Sequence, residues 1–403
     1  MASFHRRSVE EHAARIAELL AGALVPREEI VALSDALSRV TTAPVPSPVD
    51  LPLFRNSQMD GFAVRAADVA GAPVSLPVVG EVAARAGEPA ALRPGTAVRI
   101  MTGAVVPEGA DAIVPVEDTH PSDPDRPGHD GVVVERSRRA GEYVRERGSD
   151  VREGDELLPA GTVLASRHLA VLAAAGLESV AVRARVRVAV ITTGAELVAP
   201  GVDPGPGQVF DSNGPALVAA VTAAGAEVVV RESVADDHEE FRRALTAATA
   251  TADLVVTSGG ISMGDYEVVR ETLEPLGADI GSVAMQPGGP QAVATVDGVP
   301  VVCFPGNPVS TQLSFEVFLA PLVRKASGRP ERVTTARVLG EDVRSVPGKR
   351  QFLRGRSEGA AVRLVSGPGS HLVAGLAAAD VLVIVPEDVL ELRAGDTVET
   401  WEL

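Results

Sequence analysis

The sequence predicts a multidomain α/β protein, with a central unit built on a parallel sheet and strand-rich segments before and after it. Three observations point that way. Between residues 185 and 325 strand-like runs alternate with helical ones; residues 46–151 read as short Val-rich strands broken by Gly and Pro; and beyond Arg329 the runs 350–354, 362–365 and 381–385 suggest a small all-β module. With 403 residues, 45% hydrophobic and 23% charged, the chain is neither a single small binding module nor a fibrous repeat nor wholesale disordered.

Ser8-Val9-Glu10-Glu11 has capping-box spacing, and Val9, Ala13, Ile16 and Leu20 recur at helical intervals, so an amphipathic helix opens the chain. A second helix is predicted over 26–40. Pro44, Pro46, Pro48 and Pro52 then forbid helix and mark a boundary. A His/Asp/Pro-rich excursion at 120–130 reads as an exposed loop. Strands are predicted at 186–192, 227–231 and 254–257, with helices at 215–224, 237–250 and 266–276 between and after them. That alternation predicts parallel strands joined by right-handed crossovers. The runs 291–296 and 299–304 flank Asp297-Gly298, a strong hairpin signal. A long helix over 308–326 closes the unit, and an Ala-rich helical stretch falls at 371–379. No internal repeat is evident.

Charge narrows the function. Lys and Arg number 37 against 54 Asp and Glu, a net charge of −17, so the long-range field repels nucleic acid and anionic membranes. A small phosphate-bearing ligand would be repelled too, unless Gly-loop amides, a few local Arg or Lys, or a divalent cation reverse the sign locally. The single cysteine, in Val301-Val302-Cys303-Phe304, excludes an intramolecular disulfide and reads as a buried, inert thiol. The first residues lack a continuous apolar core and no run reaches the ~18 residues of a membrane span, so the expected location is cytoplasmic. The histidines (His5, His12, His120, His129, His168, His238, His371) show no ligand spacing and read mostly as solvated surface residues, against zinc chemistry. No Walker loop, Gly-x-Gly-x-x-Gly turn or Gly-x-Ser-x-Gly elbow is present.

Open α/β sheets bind ligands beyond the carboxyl ends of their strands. The loops there read Thr193-Gly194-Ala195-Glu196, Ala235-Asp236-Asp237, Ser258-Gly259-Gly260-Ile261-Ser262-Met263-Gly264-Asp265 and Pro305-Gly306-Asn307-Pro308. Residues 258–264 offer three glycines and two serines at a strand-to-helix turn, either an anion cradle of backbone N–H groups or simply a tight turn. Glu196, Asp236 or Asp237, and Asp265 would surround that cradle, as Mg²⁺ coordination to phosphate oxygens requires; Asp236, Asp237 and Asp265 also fit plain helix caps. Asn56-Ser57-Gln58-Met59-Asp60-Gly61-Phe62-Ala63 and Arg145-Glu146-Arg147-Gly148-Ser149-Asp150 read as functional loops or structural turns.

Taken in order, Leu51-Pro52-Leu53-Phe54-Arg55-Asn56-Ser57-Gln58-Met59-Asp60-Gly61-Phe62-Ala63, Arg99-Ile100-Met101-Thr102-Gly103-Ala104, Arg147-Gly148-Ser149-Asp150, Thr193-Gly194-Ala195-Glu196-Leu197, Thr257-Ser258-Gly259-Gly260-Ile261-Ser262 and Pro305-Gly306-Asn307-Pro308-Val309-Ser310 resemble the MoeA family of molybdopterin molybdenumtransferases and the C-terminal part of gephyrin. The resemblance spans nearly the whole chain. It implies a helical linker domain (1–45 and 146–180), an inserted elongated β domain (46–145), an α/β molybdopterin-binding domain (181–328) and a C-terminal β-barrel (329–403). It also implies an enzyme of molybdenum cofactor biosynthesis that uses Mg²⁺, releases AMP from adenylylated molybdopterin and inserts molybdate. The implied form is a homodimer whose active site lies between subunits, with Asp60 able to face Glu196 across them. Carried over by position, Asp60, Asp150 and Glu196 are the catalytic candidates. Glu196, Asp237 (or Asp236) and Asp265 are the metal candidates. Thr193, Gly194, Ser258, Gly259, Gly260, Ser262, Pro305, Gly306, Asn307 and Ser310 would hold the pterin. The chain departs from the family at Gly289 of Pro287-Gly288-Gly289-Pro290, where Lys is common, so an ammonium near the pterin phosphate or molybdate is missing unless another cation, Arg350 or Arg354, supplies that charge. Gly289 also favours an alternative, a non-catalytic paralogue that holds the cofactor or a partner. A third reading, an adenylyltransferase acting one step earlier, would need neither the inserted β domain nor the barrel.

Overall fold

The structure, a computed structural model, describes residues 6–122, 131–262, 264 and 267–403. The chain divides into two compact units: residues 30–37 and 41–181 form one, and the rest forms the other.

In the larger unit, the sheet contains β1 (Arg6–Arg7), β2 (Arg187–Thr193), β3 (Glu227–Val234), β4 (Leu254–Ser258), β5 (Asp279–Val283), β6 (Pro290–Val296) and β7 (Val299–Phe304), in the spatial order β1-β5-β6-β7-β4-β2-β3. β7, β4, β2 and β3 run parallel, as the alternation of strand and helix predicted. β6 pairs antiparallel with both β5 and β7, which makes the sheet mixed. The β6–β7 reversal is the expected Asp-Gly hairpin: Asp297 (φ 51°) and Gly298 (φ 80°) both take the left-handed conformation that a two-residue turn requires.

Helices cover both faces: α1 (Val9–Leu20), α2 (Asn213–Ala224), α3 (His238–Thr249), α4 (Val268–Leu273), α5 (Pro308–Ser314) and α6 (Ala320–Ala326). Successive strand side chains point to opposite faces, so Val188 and Val190 pack with Leu217 and Val221 of α2, while Ala189 and Ile191 pack with Phe241 and Leu245 of α3. Each fully buried Val, Leu or Phe contributes roughly 1.5–3 kcal/mol, which fixes the register that aims the strand ends at one edge. Cys303 lies fully buried within the α3-side cluster, and burial pushes its thiol up to about 12. The Ser8 capping box forms as predicted: Glu11 N donates to Ser8 Oγ (3.0 Å) and Ser8 N to Glu11 Oε2 (2.8 Å). The predicted 308–326 helix is continuous but contains a π turn, Phe315–Leu319, between α5 and α6.

The predicted second helix fails. Residues 26–40 do not form a helix; Glu28–Ala32 is a strand followed by a 3₁₀ turn, Leu33–Asp35. Its backbone groups find distant partners instead, Ala184 N donating to Arg27 O (2.8 Å) and Leu33 N to Glu178 O (3.0 Å). The β-branched Ile30 and Val31 suit that extended form. His12 is an exception among the histidines, which are expected to be mostly solvated. It is 1% exposed, its ring edge-on to Phe318 of the π turn, and neither ring nitrogen has a partner. Its imidazole is pushed down to about 4 by burial and by the nearby Arg7, with Asp279 opposing.

Five strands of the C-terminal part, Thr334–Leu339, Arg350–Glu358, Ala361–Leu364, Val381–Val385 and Thr397–Glu402, close into a barrel because Arg350–Glu358 pairs with both Ala361–Leu364 and Val381–Val385. Closure removes the free sheet edges. The short helix Val373–Ala378 sits within the predicted Ala-rich stretch. Strand Met285–Gln286 adds parallel to Arg350–Glu358, and Gln351 Nε2 donates to Gln286 Oε1 (2.7 Å). The barrel is thereby tied to the loop that carries Gly289.

The smaller unit contains a six-stranded sheet, in which Val74–Val82 and Ala97–Ile100 are parallel and the other pairs antiparallel. Residues 123–130 of the predicted exposed loop lie outside the described residues, and Thr119–Pro121 is a strand.

Candidate functional site

The carboxyl ends of β2, β4 and β7 open on one cavity of about 870 Å³. Of the pterin-binding candidates, Thr193, Gly194, Gly259, Gly260, Ser262, Pro305, Gly306, Asn307 and Ser310 line it, as does Glu196. Ser258 lies just beneath, 1% exposed. The turn after β4 requires glycine: Gly259 (φ 102°) and Gly260 (φ 65°) are both left-handed, and a Cβ on Gly259 would lie 2.5 Å from Thr193 O.

A buried polar knot holds the floor. Asn213, first residue of α2, donates from Nδ2 to Ser258 Oγ (3.0 Å) and to Gly306 O (2.7 Å), while Thr311 Oγ1 donates to Pro305 O (2.6 Å). Three loops are thus fixed relative to one another. Asp211, 3% exposed, accepts from Thr192 Oγ1 (3.1 Å) and Gly214 N (2.9 Å) and faces Arg231 at 3.5 Å.

The acidic candidates separate. Asp236 lines the cavity and accepts from Ala195 N (3.0 Å), joining two of the loops. Asp237 is the N-cap of α3, accepting from Glu240 N (2.8 Å). Asp265 lies outside the described residues. The cradle is partly filled from within: Glu267 accepts from Ser262 N (2.9 Å) and Gly264 N (3.3 Å), and Arg270 donates to Ser262 O (2.7 Å) and Gly264 O (3.0 Å).

The local cation comes from the barrel. Lys349 lines the cavity, positioned by the Arg350 N to Ala284 O hydrogen bond (2.9 Å) and the strand pairing that follows it. Arg350 is occupied by Glu10 and Glu387. Arg354 is fully buried, holds Ser366 Oγ (2.9 Å) and Gly369 O (3.2 Å), and so positions the loop that brings Ser370 and His371 to the cavity. Burial lowers the Arg354 guanidinium from its ordinary value. Neither arginine is among the cavity-lining residues.

Asp60 and Asp150 belong to the smaller unit. Asp60 Oδ1 accepts from Thr102 N (2.6 Å) and Thr102 Oγ1 (2.7 Å), and these bonds, with Arg99 nearby, hold its carboxyl below the usual carboxylate range. Asp150 is exposed in a turn whose amide donates to Leu51 O (3.0 Å). The two segments singled out in this unit meet: Asn56–Ser57 pairs with Val144–Arg145, and Arg55 Nε reaches Glu146 Oε2 at 2.9 Å.

Three family models cover the chain in sequence: MoeA N-terminal region (domain I and II) over residues 7–176, probable molybdopterin binding domain over 189–325, and MoeA C-terminal region (domain IV) over 336–403. Molybdopterin molybdenumtransferase 2 of Mycobacterium tuberculosis is 42% identical over 98% of this chain and 100% of its own. This chain belongs to the MoeA family. Molybdopterin molybdenumtransferase 1 of the same organism is 36% identical, covering 98% of both chains. The molybdopterin biosynthesis MoeA protein of Pyrococcus horikoshii matches in structure with a TM-score of 0.78 at 31% identity, covering 99% of both chains. Within the match to the probable molybdopterin binding domain fall all but the first two residues of β2, the whole of β4 and β7, and the loops after them. Lys349 and His371 fall within the model for MoeA domain IV.

Sequence reasoning missed Asp211, Asn213, Glu267 and Lys349. Asp211-Ser212-Asn213 carries a helix-start signal, but Pro215 drew the predicted start two residues late. Lys349 has no local signal, because only the docking of the barrel brings it to the cavity.

Proposed function

We propose that the chain is a molybdopterin molybdenumtransferase, an enzyme of molybdenum cofactor assembly, acting in the cytoplasm on adenylylated molybdopterin and molybdate with Mg²⁺. The carrying observation is one cavity lined by residues of the family's three strand-end motifs and by a lysine from its terminal barrel. Among the described residues no helix is long and apolar enough to cross a membrane.

The cavity's chemistry supports an anionic ligand that brings a cation. Lys349 and the Ser310 hydroxyl are donors for phosphate or molybdate oxygens, and the left-handed Gly259-Gly260 turn lines the same cavity. Glu196 and Asp236, which both line the cavity, would be the oxygen donors for Mg²⁺. Among the described residues no group of three or more His, Cys, Asp or Glu could hold a metal ion by itself. Mg²⁺ is commonly held by one or two carboxylates together with substrate phosphates and water. When bound, the ion would neutralise charge between the carboxylates and the phosphate oxygens.

In this reading Asp60 and Asp150 act from the smaller unit of a second subunit, in a homodimer. Asp60, held by Thr102, orients a water for attack on the pyrophosphate, whose P–O bond breaks to release AMP, while the Asn213 knot keeps the glycine turns from shifting under the ligand. The test is AMP release by the full chain given adenylylated molybdopterin, molybdate and Mg²⁺, with single-turnover rates for Glu196→Gln and Asp60→Asn. Each variant should lose on the order of 10²-fold; full rates in both would refute the assignment.

A further inference from the structure

We infer that Phe210 is a stacking platform at the cavity, taking the face of a planar heteroaromatic ring of the ligand, the pterin or the adenine. The inference deepens the proposed function and rests on it.

Phe210 is 47% exposed, whereas Phe241, Phe304, Phe315, Phe318 and Phe352 are all buried to within 1%. Exposure alone needs no explanation. The placement does: Phe210 lines the cavity beside Leu197 and Val209, so one wall is apolar while the floor is polar. It is the one phenyl ring among the described residues lining that space.

The ring stands on a fixed backbone. Leu197–Val198 and Val209–Phe210 form a two-stranded parallel ribbon, with Val209 N donating to Glu196 O and Asp211 N to Val198 O, both at 2.8 Å. The next residue, Asp211, is buried and held by Thr192 and Gly214, and Asn213 begins the helix that ties the cavity floor. Phe210 therefore sits three residues from the polar knot, with little freedom except in its own side-chain torsions. A rigid aromatic face beside an anion-binding floor suits a ligand that joins a flat ring to a phosphate. Stacking is tolerant of ring identity because every such ring has a π face. Ionic contacts alone would not distinguish adenylylated molybdopterin from free pyrophosphate.

The test measures binding of adenylylated molybdopterin to the full chain as wild type, Phe210→Ala, Phe210→Leu and Phe210→Tyr. Inorganic pyrophosphate, AMP and pterin-6-carboxylate serve as separate competitors. We expect Phe210→Ala to weaken the adenylylated ligand roughly tenfold or more, the scale of one lost ring stack. Phe210→Tyr should restore affinity, Phe210→Leu should restore it only in part, and pyrophosphate competition should be unchanged. A selective loss of competition by pterin-6-carboxylate assigns the stacked ring to the pterin; a selective loss by AMP assigns it to the adenine. Equal affinity of all four proteins for every ligand, with wild type active, would overturn the inference and leave the function standing. Absence of wild-type binding and turnover would instead overturn the function.

Discussion

Removing the Lys349 ammonium tests whether the barrel supplies the charge that Gly289 lacks. Leaving aside Asp211, which faces Arg231, the described cavity wall presents Glu196, Asp236 and Glu267 against this single ammonium. Lys349→Met preserves length and apolar volume but leaves the wall with carboxylates alone. One charge-assisted hydrogen bond contributes about 1.5–3 kcal/mol, which corresponds to roughly 10- to 150-fold in Kd. The compensating change is sterically open. A Cβ on Gly289 would meet Ser282 Oγ and Val283 O at 3.6 Å, ordinary contact, and Gly289 is not among the residues with positive φ. Gly289→Lys in the Lys349→Met background should therefore recover most of the affinity, and alone should tighten binding. Calorimetric titration of the full chain with inorganic pyrophosphate and with adenylylated molybdopterin, at low and high salt, reads both effects. An affinity for Lys349→Met within twofold of wild type for both ligands would show that the cation lies elsewhere.

Three further predictions concern other groups. His12 titrates near 6.5 unfolded but is pushed down to about 4 when folded, so the unfolded chain takes up a proton that the fold refuses. Stability should fall as pH drops from about 6.5 to about 4, by up to ~3 kcal/mol, and that part should vanish from the urea-unfolding profile of His12→Leu. Glu267→Gln removes a negative charge from the amides of Ser262 and Gly264, and should tighten pyrophosphate binding by several-fold in the same calorimetric titration. Cys303, fully buried with its thiol raised to about 12, should resist a thiol reagent in the native protein and react as one thiol per chain after denaturation; rapid native labelling would contradict its burial.

The legible parts of the fold were those with local causes. The Ser8 cap, the Asp297-Gly298 reversal and the alternation from Arg187 to Ala326 each follow from backbone preference and side-chain period, and each appears in the structure. Residues 26–40 misled because helix-compatible composition was overridden by distant backbone partners at Glu178 and Ala184. The hairpin signal announced the antiparallel β6, but β5 and its pairing with β6 and β1 were hidden because which strands become neighbours in a sheet is not a local property. The loops of the site were legible because strand ends in such sheets converge on one edge. What the sequence concealed was who else arrives there: Lys349, carried in by the pairing of Met285–Gln286 with the barrel, and Glu267, folded back onto its own turn.

The most direct measurement is the location of the ligand in a crystal structure of the full chain with adenylylated molybdopterin and Mg²⁺. The phosphates should lie between the Gly259-Gly260 turn and Lys349, within hydrogen-bond reach of the Ser310 hydroxyl. A ligand bound outside that cavity, with the strand ends and Lys349 untouched, would contradict the assignment.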